Sequence, residues 1–261
     1  MTHRNTLLRA ATLAIVWGPM HACASSSSSS SAADSTNGPA PTASAASSES
    51  ASANSLTPSE QAAGWRLLFD GKSTAGWRGF KKQEVPAGWQ VIEGSLVRAA
   101  EGAGDIITTD KFRNFELALD WKIAEGGNSG VFYRATEEGQ YIWQSAPEMQ
   151  VLDDARHADG KSPLTSAGSN FALHAAPRGS SRAAGQWNSA RLVVNGNHVE
   201  HWLNGAKLLE YELGSPEWSA LVAKSKFSTM PLYGKAAEGH IGLQDHGDRV
   251  EFRNIRIRPL P

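Results

Sequence analysis

Residues 148–157 read Glu-Met-Gln-Val-Leu-Asp-Asp-Ala-Arg-His, and the first half of this stretch alternates polar and apolar side chains. A β-strand sends alternate side chains to opposite faces of its sheet, so Glu148 and Gln150 share a polar face and Met149 and Val151 an apolar one. The alternation predicts a strand that packs on the core with one face only. The residues that follow it make this the densest run of ionisable groups in the chain.

Similar patterns recur on both sides of this stretch. Residues 115–123 alternate strictly, and the Asn-Gly pairs at 195–196 and 204–205 separate apolar runs, which is a strong hairpin signal. Residues 216–225 form the one plausible helix, and it is short. Many strands with short turns predict an all-β sandwich or barrel, and the polar faces favour two sheets with an exposed groove. We place this domain at residues 59–261.

The first 23 residues are typical of an export signal. His3, Arg4 and Arg9 precede an apolar core at residues 10–17, which is far shorter than the ~20 residues of a membrane span. The single cysteine, Cys23, stands where such a signal ends, in a context that resembles the lipobox of bacterial lipoproteins. We therefore predict an exported, periplasmic protein that is lipidated at Cys23 and anchored to a membrane; ordinary cleavage nearby would instead leave it soluble in the periplasm.

The amino-acid composition predicts a linker and argues against several kinds of partner and site. Residues 24–58 are rich in Ser and Ala with almost no apolar bulk, which predicts a disordered linker. The formal net charge of −1 and the absence of basic runs argue against a nucleic-acid partner. One cysteine allows neither an intrachain disulfide nor a cysteine-based metal site.

Several motifs together are distinctive: residues 126–131 (GGNSGV), 148–153 (EMQVLD), 197–205 (NHVEHWLNG), 241–247 (IGLQDHG) and 252–255 (FRNI). They resemble the 3-keto-disaccharide hydrolase domain family, formerly a domain of unknown function, and the resemblance runs from about residue 65 to residue 260. It implies a concanavalin A-like jelly-roll β-sandwich of two antiparallel sheets, in an exported bacterial enzyme acting on glycosides oxidised at C3 of the sugar. An upstream sugar 3-dehydrogenase would have to make such a substrate.

Glycosidases of this fold carry Glu-x-Asp-x-x-Glu on one strand, whereas this chain has Glu148-x-Gln150-x-x-Asp153. A retaining glycosidase needs two carboxyl groups ~5 Å apart, and this pattern does not dependably supply them. A 3-keto sugar offers another route, because its ketone acidifies the C2 proton. A base removes that proton, the C1 aglycone leaves by elimination, and water adds back.

This chemistry assigns candidate catalytic roles. Glu148 or His157 would be the base, and Arg134 would stabilise the developing oxyanion. A divalent metal ion could do so instead, with Asp153, Asp154 and His157 as candidate ligands.

Substrate-binding candidates are Asn128, Gln150, Asp153, Tyr141, Trp143 and His246. The strand phase of residues 128–134 puts Asn128 and Arg134 on one face, but the sequence does not show whether that face also carries Glu148. Two alternatives to the 3-keto-glycoside enzyme stay open, a carbohydrate-binding module without catalysis and an ordinary β-glycosidase of the laminarinase-like fold.

Overall fold

The computed structural model describes residues 52–261. The predicted signal peptide, Cys23 and the linker up to residue 51 lie outside the described residues. Within residues 52–261 no helix is both long and apolar enough to cross a bilayer.

The described chain is built mainly of strands. Two short α-helices, α1 (Pro58–Ala62) and α2 (Pro216–Ala223), and three single 3-10 turns accompany them. The 3-10 turns are Ile142–Gln144, Ala158–Lys161 and Lys226–Thr229. The strands are β1 Arg66–Leu67, β2 Trp77–Gly79, β3 Trp89–Ile92, β4 Ser95–Arg98, β5 Ile106–Thr108, β6 Phe115–Ile123, β7 Asn128–Ala135, β8 Glu148–Leu152, β9 Asn188–Asn195, β10 His198–Leu203, β11 Ala206–Glu212, β12 His240–Leu243 and β13 Val250–Pro259.

These strands form two antiparallel sheets, as the sequence predicts. The large sheet has the order β11-β10-β9-β6-β13-β4-β3, with β1 also paired to β13. The small sheet has the order β2-β5-β12-β7-β8, so the Glu148 strand lies at its edge beside β7. Both predicted Asn-Gly turns connect adjacent strands, β9 to β10 and β10 to β11.

The hydrophobic core lies between the sheets. Leu119 and Trp121 of β6 pack in one buried cluster with Val131 of β7 and with Met149 and Val151 of β8. Each such buried side chain contributes about 1.5–3 kcal/mol of hydrophobic stabilisation. Because Met149 and Val151 occupy the core, the intervening Glu148 and Gln150 face the other side of the small sheet.

A residue just before the predicted domain boundary contacts the sandwich. Asn54 and Asn254 exchange hydrogen bonds, with the Asn54 amide donating to Asn254 Oδ1 at 2.6 Å and the Asn254 amide to Asn54 Oδ1 at 2.8 Å. Asn54 Nδ2 also donates to Gly94 O at 2.8 Å. Asn54, which lies in the predicted linker, is thus tied to the sandwich, a contact that composition does not reveal.

Candidate active site

The pairing of β7 with β8 settles which side chains share a face. Gly130 lies opposite Gln150, and Phe132 lies opposite Glu148. Directly opposed residues of neighbouring strands point to the same side of a sheet. Asn128, Gly130 and Phe132 of β7 therefore share the outer face of the small sheet with Glu148 and Gln150, an association the sequence left open.

A cavity of about 240 Å³ opens on this outer face. The small sheet supplies its floor, and loops supply its walls. The lining residues are Asn128, Trp143, Glu148, Gln150, Asp159, Phe171, Lys226, Met230, Gln244 and His246. Five of the predicted site residues thus lie together: Asn128, Trp143, Glu148, Gln150 and His246.

Glu148 is the buried acid of this cavity, with 7% of its surface exposed. Burial raises the pKa of its carboxyl from 4.5 to about 8; the Lys226 ammonium opposes the shift, and Asp105 and Asp159 add to it. The carboxylate oxygens make no hydrogen bond to any residue in the range 52–261. A carboxyl group in this state is suited to exchange a proton near neutral pH.

Glu148 has room because residue 130 is a glycine. A Cβ at position 130 would overlap Glu148 Oε1 and would stand 2.8 Å from Glu148 Cδ. The last glycine of the Gly-Asn-Ser-Gly motif at residues 127–130 therefore serves the acid directly, by leaving space under its carboxyl group.

Amide side chains surround the acid. The side-chain oxygens of Asn128, Gln150 and Gln244 are buried and have no hydrogen-bond partner in the described part of the chain. Gln150 is held in place because its Nε2 donates to Thr165 O at 3.1 Å. Unpaired buried acceptors are costly, so these oxygens favour a ligand that brings hydroxyl donors.

Trp143 forms part of the cavity wall, and Tyr141 stacks on it without being a lining residue. The rings of Tyr141 and Trp143 are stacked, with centroids 5.1 Å apart and planes 6° from parallel. Gln144 Oε1 accepts from the backbone amides of Gln140 (2.6 Å) and Tyr141 (3.0 Å) and so holds the segment in shape. Tyr141 is 48% exposed, which leaves ring surface free for a sugar to stack on.

Two histidines meet near the cavity. His246 lines it, and the His157 ring lies edge-on to His246 with centroids 6.4 Å apart. His157 Nδ1 accepts a hydrogen bond from the Asp159 amide at 3.1 Å, which places the proton of the neutral ring on Nε2. His157 contacts His246 but is not among the residues that line the cavity, and this favours Glu148 over His157 as the base.

Arg134 is not at the site. It has a φ of +51°, which breaks the alternation of β7, and its guanidinium donates to Arg113 O at 2.9 Å and Gly196 O at 2.6 Å. The structure does not bring Arg134 to the Glu148 cavity, because the left-handed backbone turns its side chain toward these carbonyl groups.

The carboxylates of Asp153 and Asp154 also accept hydrogen bonds outside the Glu148 cavity. Asp153 Oδ2 accepts from the Gly126 amide at 2.8 Å, and Asp154 Oδ1 accepts from the Ala167 amide at 2.8 Å. Both line a second cleft that lies apart from the Glu148 cavity lining. The structure does not bring Asp153 to the Glu148 cavity, because its carboxylate accepts a hydrogen bond from the turn that precedes β7.

The candidate metal ligands do not form one ligand set. Asp153, Asp154 and His157 each accept from a different backbone amide. Within the described ranges, a compact group of His and acidic side chains occurs at His198, Glu200 and Glu210, on β10 and β11 of the large sheet. Lys207 already pairs with this group, 2.7 Å from Glu210.

Several site residues escaped the sequence analysis. Lys226 and Met230 come from the segment after α2, and Phe171 and Asp159 come from loops after β8. Asp105 carries a pKa raised to about 6 by burial and acts electrostatically on Glu148. These residues lie in segments without a periodic pattern, so only the folded chain brings them to Glu148.

Comparisons with known proteins agree with this geometry. The sequence profile of the 3-keto-alpha-glucoside-1,2-lyase-like domain family matches residues 64–258. This chain belongs to that family. Membership confirms the resemblance inferred from the motifs, and it makes the protein an enzyme of the glycoside hydrolase class.

Individual relatives support the same assignment. A 3-keto-disaccharide hydrolase of Bacteroides thetaiotaomicron is 36% identical over 241 residues, covering 80% of this chain and 83% of the relative. A solved structure from Parabacteroides distasonis, provisionally named a glycosyl hydrolase, is 35% identical with a TM-score of 0.75 and covers 80% of this chain and 100% of its own. A second such structure from that organism is 31% identical with a TM-score of 0.59, and the match covers 75% of this chain and 99% of that one. The shared fold is the predicted β-sandwich.

Proposed function

We propose that this enzyme cleaves the glycosidic bond of 3-keto-glycosides, including 3-keto-disaccharides, by elimination followed by hydration. Glu148 removes the proton at C2 of the oxidised sugar, the aglycone leaves from C1, and water adds to C1. The net result is hydrolysis. The observation that carries the proposal is the buried Glu148 carboxyl, with its pKa raised to about 8, in a cavity lined by amide oxygens.

The arrangement suits proton abstraction better than double displacement. A retaining glycosidase needs a second carboxyl group ~5 Å from the first. The next acidic residue along the chain, Asp153, follows the end of β8 and accepts a hydrogen bond from the Gly126 amide, and Gln150 supplies an uncharged amide between the two. A base beside a ketone needs one carboxylate of raised basicity, which Glu148 provides. The family description, which names a 1,2-lyase, is consistent with this chemistry.

The surrounding residues fit a sugar ring. The buried amide oxygens of Asn128, Gln150 and Gln244 accept hydrogen bonds from hydroxyl groups, and Trp143, stacked on Tyr141, offers an apolar wall. The cavity of about 240 Å³ is below the ~300–1,000 Å³ of sites for drug-sized ligands, so it takes one sugar ring and leaves the aglycone outside. His246 on the wall is our candidate for the acid that protonates the leaving aglycone.

Release of 3-keto-glucose tests this function. The enzyme is incubated with 3-keto-trehalose, a 3-keto-glucoside and the unoxidised sugars, before and after treatment with a chelator. We expect release from the oxidised sugars only, loss of 10²- to 10⁴-fold in rate for Glu148→Gln, and full activity for Glu210→Gln on the large sheet. Binding without product would instead indicate a carbohydrate-binding module, and cleavage of the unoxidised sugars an ordinary glycosidase.

We also propose export to the periplasm and lipid anchoring at Cys23. Support comes from the basic start, the short apolar core and the position of the one cysteine at the end of the signal. Cell fractionation tests this: the wild-type protein is expected in the membrane fraction and Cys23→Ala in the soluble fraction or uncleaved. If the wild-type protein and Cys23→Ala were distributed between the membrane and soluble fractions in the same way, lipidation would be contradicted.

A further inference from the structure

Proton removal beside a ketone leaves negative charge on the ketone oxygen, and the predicted partner for that charge, Arg134, is turned away from the cavity. Among the described residues that line the cavity, Lys226 is the only Lys or Arg. It belongs to the 3-10 turn that follows α2, which sets it on the wall above the small sheet.

The Lys226 ammonium is placed by aromatic rings rather than by an ion pair. Its Nζ lies 4.1 Å from the ring centroid of Phe171 and 5.2 Å from that of Phe227. Cation–π contacts of this kind favour the charged form. Nζ has no hydrogen bond and no salt bridge with any residue from 52 to 261, so its three donors are free for a ligand.

The electrostatics link Lys226 to the base. The charged groups that act on the ammonium are the carboxyls of Glu148 and Asp159, both on the cavity lining. Partial desolvation lowers the pKa of Lys226, and these two carboxyls oppose the shift. In return, the ammonium lowers the pKa of Glu148.

We propose that the Lys226 ammonium binds the ketone oxygen of the substrate and stabilises the negative charge that forms there when Glu148 takes the C2 proton. The C2–H bond breaks, its proton passes to Glu148, and its electron pair forms the C2=C3 double bond while the C3=O pair moves to the oxygen beside Lys226. The electron pair on the oxygen then re-forms the C3=O bond, and the C2=C3 pair forms a C1=C2 double bond. The C1–O bond to the aglycone breaks, and its electron pair leaves on the aglycone oxygen. Lys226 donates a hydrogen bond throughout and forms no covalent bond. This inference rests on the proposed function.

Substitution at position 226 tests the inference. For Lys226→Met we expect kcat on 3-keto-glycosides to fall by the 10²- to 10³-fold typical of a lost oxyanion donor, with a much smaller change in KM, because the charge exists only after proton transfer begins. Lys226→Arg keeps the charge and should retain part of the rate. The matched control is Lys224→Met, an exposed lysine two residues away that does not line the cavity.

The pH profile supplies a readout that a merely structural role would not move. Without the ammonium the pKa of Glu148 rises, so the acidic limb of the kcat/KM profile should shift to higher pH in Lys226→Met and stay in place in Lys224→Met. Mass spectrometry after borohydride treatment of the wild-type enzyme with substrate should show no adduct.

Three outcomes would overturn the inference: wild-type kcat in Lys226→Met, an unshifted profile, or a reduced adduct on Lys226, which would indicate an imine instead. Failure of the proposed function looks different, because the wild-type enzyme itself would then release no 3-keto sugar. If the wild type is active, Glu148→Gln is inactive and Lys226→Met is unimpaired, the function stands and only the role of Lys226 falls.

Discussion

The carboxyl group of Glu148 lies against Gly130, its diagonal neighbour on strand β7, which is paired with Gln150. A methyl group at position 130 would overlap Glu148 Oε1. The space for the buried acid is therefore made by a missing side chain, and the two residues act as one unit in the site.

Gly130→Ala should displace the acid without unfolding the sheet. Gly130 is not among the glycines of positive φ, so alanine fits the backbone, and the atoms in its way belong to the flexible end of Glu148. A displacement of about 1 Å can cost on the order of 10²-fold in rate, and we expect a loss of that size in kcat.

Steady-state kinetics with a 3-keto-glucoside, together with thermal unfolding, checks this prediction. Full activity in Gly130→Ala would show that Glu148 does not need its present position. A collapse of the melting temperature would show instead that Gly130 serves the fold.

The stability of Glu148→Gln relative to the wild type should depend on pH in a defined direction. Burial raises the pKa of Glu148 from 4.5 to about 8, so the folded state holds a proton that the unfolded state releases between these values. The free energy of unfolding of the wild type therefore falls as pH rises from about 4.5 to about 8, and the glutamine variant lacks this loss. The melting temperature of Glu148→Gln should therefore increase relative to that of the wild type as the pH rises across that range.

Glu137→Gln is the matched control for that experiment. The Arg78 guanidinium, 2.7 Å away, holds the pKa of Glu137 down at about 2. Its contribution to stability is lost only as pH falls below about 4.5, so its effect on melting temperature should be constant between pH 5 and pH 8. A constant difference for Glu148→Gln as well would contradict the raised pKa.

Trp143→Ala should weaken substrate binding more than catalysis. The ring of Trp143 lines the cavity and stacks on Tyr141, so its loss removes the apolar wall. We expect KM to rise on the order of tenfold with kcat little changed, because a stacking contact is made equally in the ground state and the transition state. Trp187→Ala, which removes a ring beside Lys122 and Arg253 on the large sheet, should leave KM unchanged.

The alternation of β8 was enough to predict the sheet face that carries Glu148 and Gln150, since a period of two is a local property of the chain. The direction of the Arg134 side chain was not predictable in this way. Its positive φ and the nearby irregularity in the pairing of β12 with β7, between His240 and Gly242, interrupt the period. Phe132 and Ala135 consequently share a second buried cluster although they are three residues apart.

Lys226 and Asp105 show the other limit of sequence reasoning. Lys226 reaches Glu148 through the packing of the turn after α2, and Asp105 precedes β5, two strands away from β7. Neither position carries a pattern that connects it to residue 148. Asp153 shows the reverse case, because its spacing from Glu148 imitates a glycosidase motif while its carboxylate closes a turn.

Transfer of the C2 proton is the central claim, and deuterium incorporation tests it most directly. The enzyme cleaves a 3-keto-glucoside in D₂O, and the 3-keto-glucose released is analysed at once by NMR and mass spectrometry beside an enzyme-free sample of the same product. Elimination and hydration predict one deuterium at C2 of the released sugar, above the level of uncatalysed exchange. Product that retains its original C2 proton would contradict the account and would show that the glycosidic bond is hydrolysed directly.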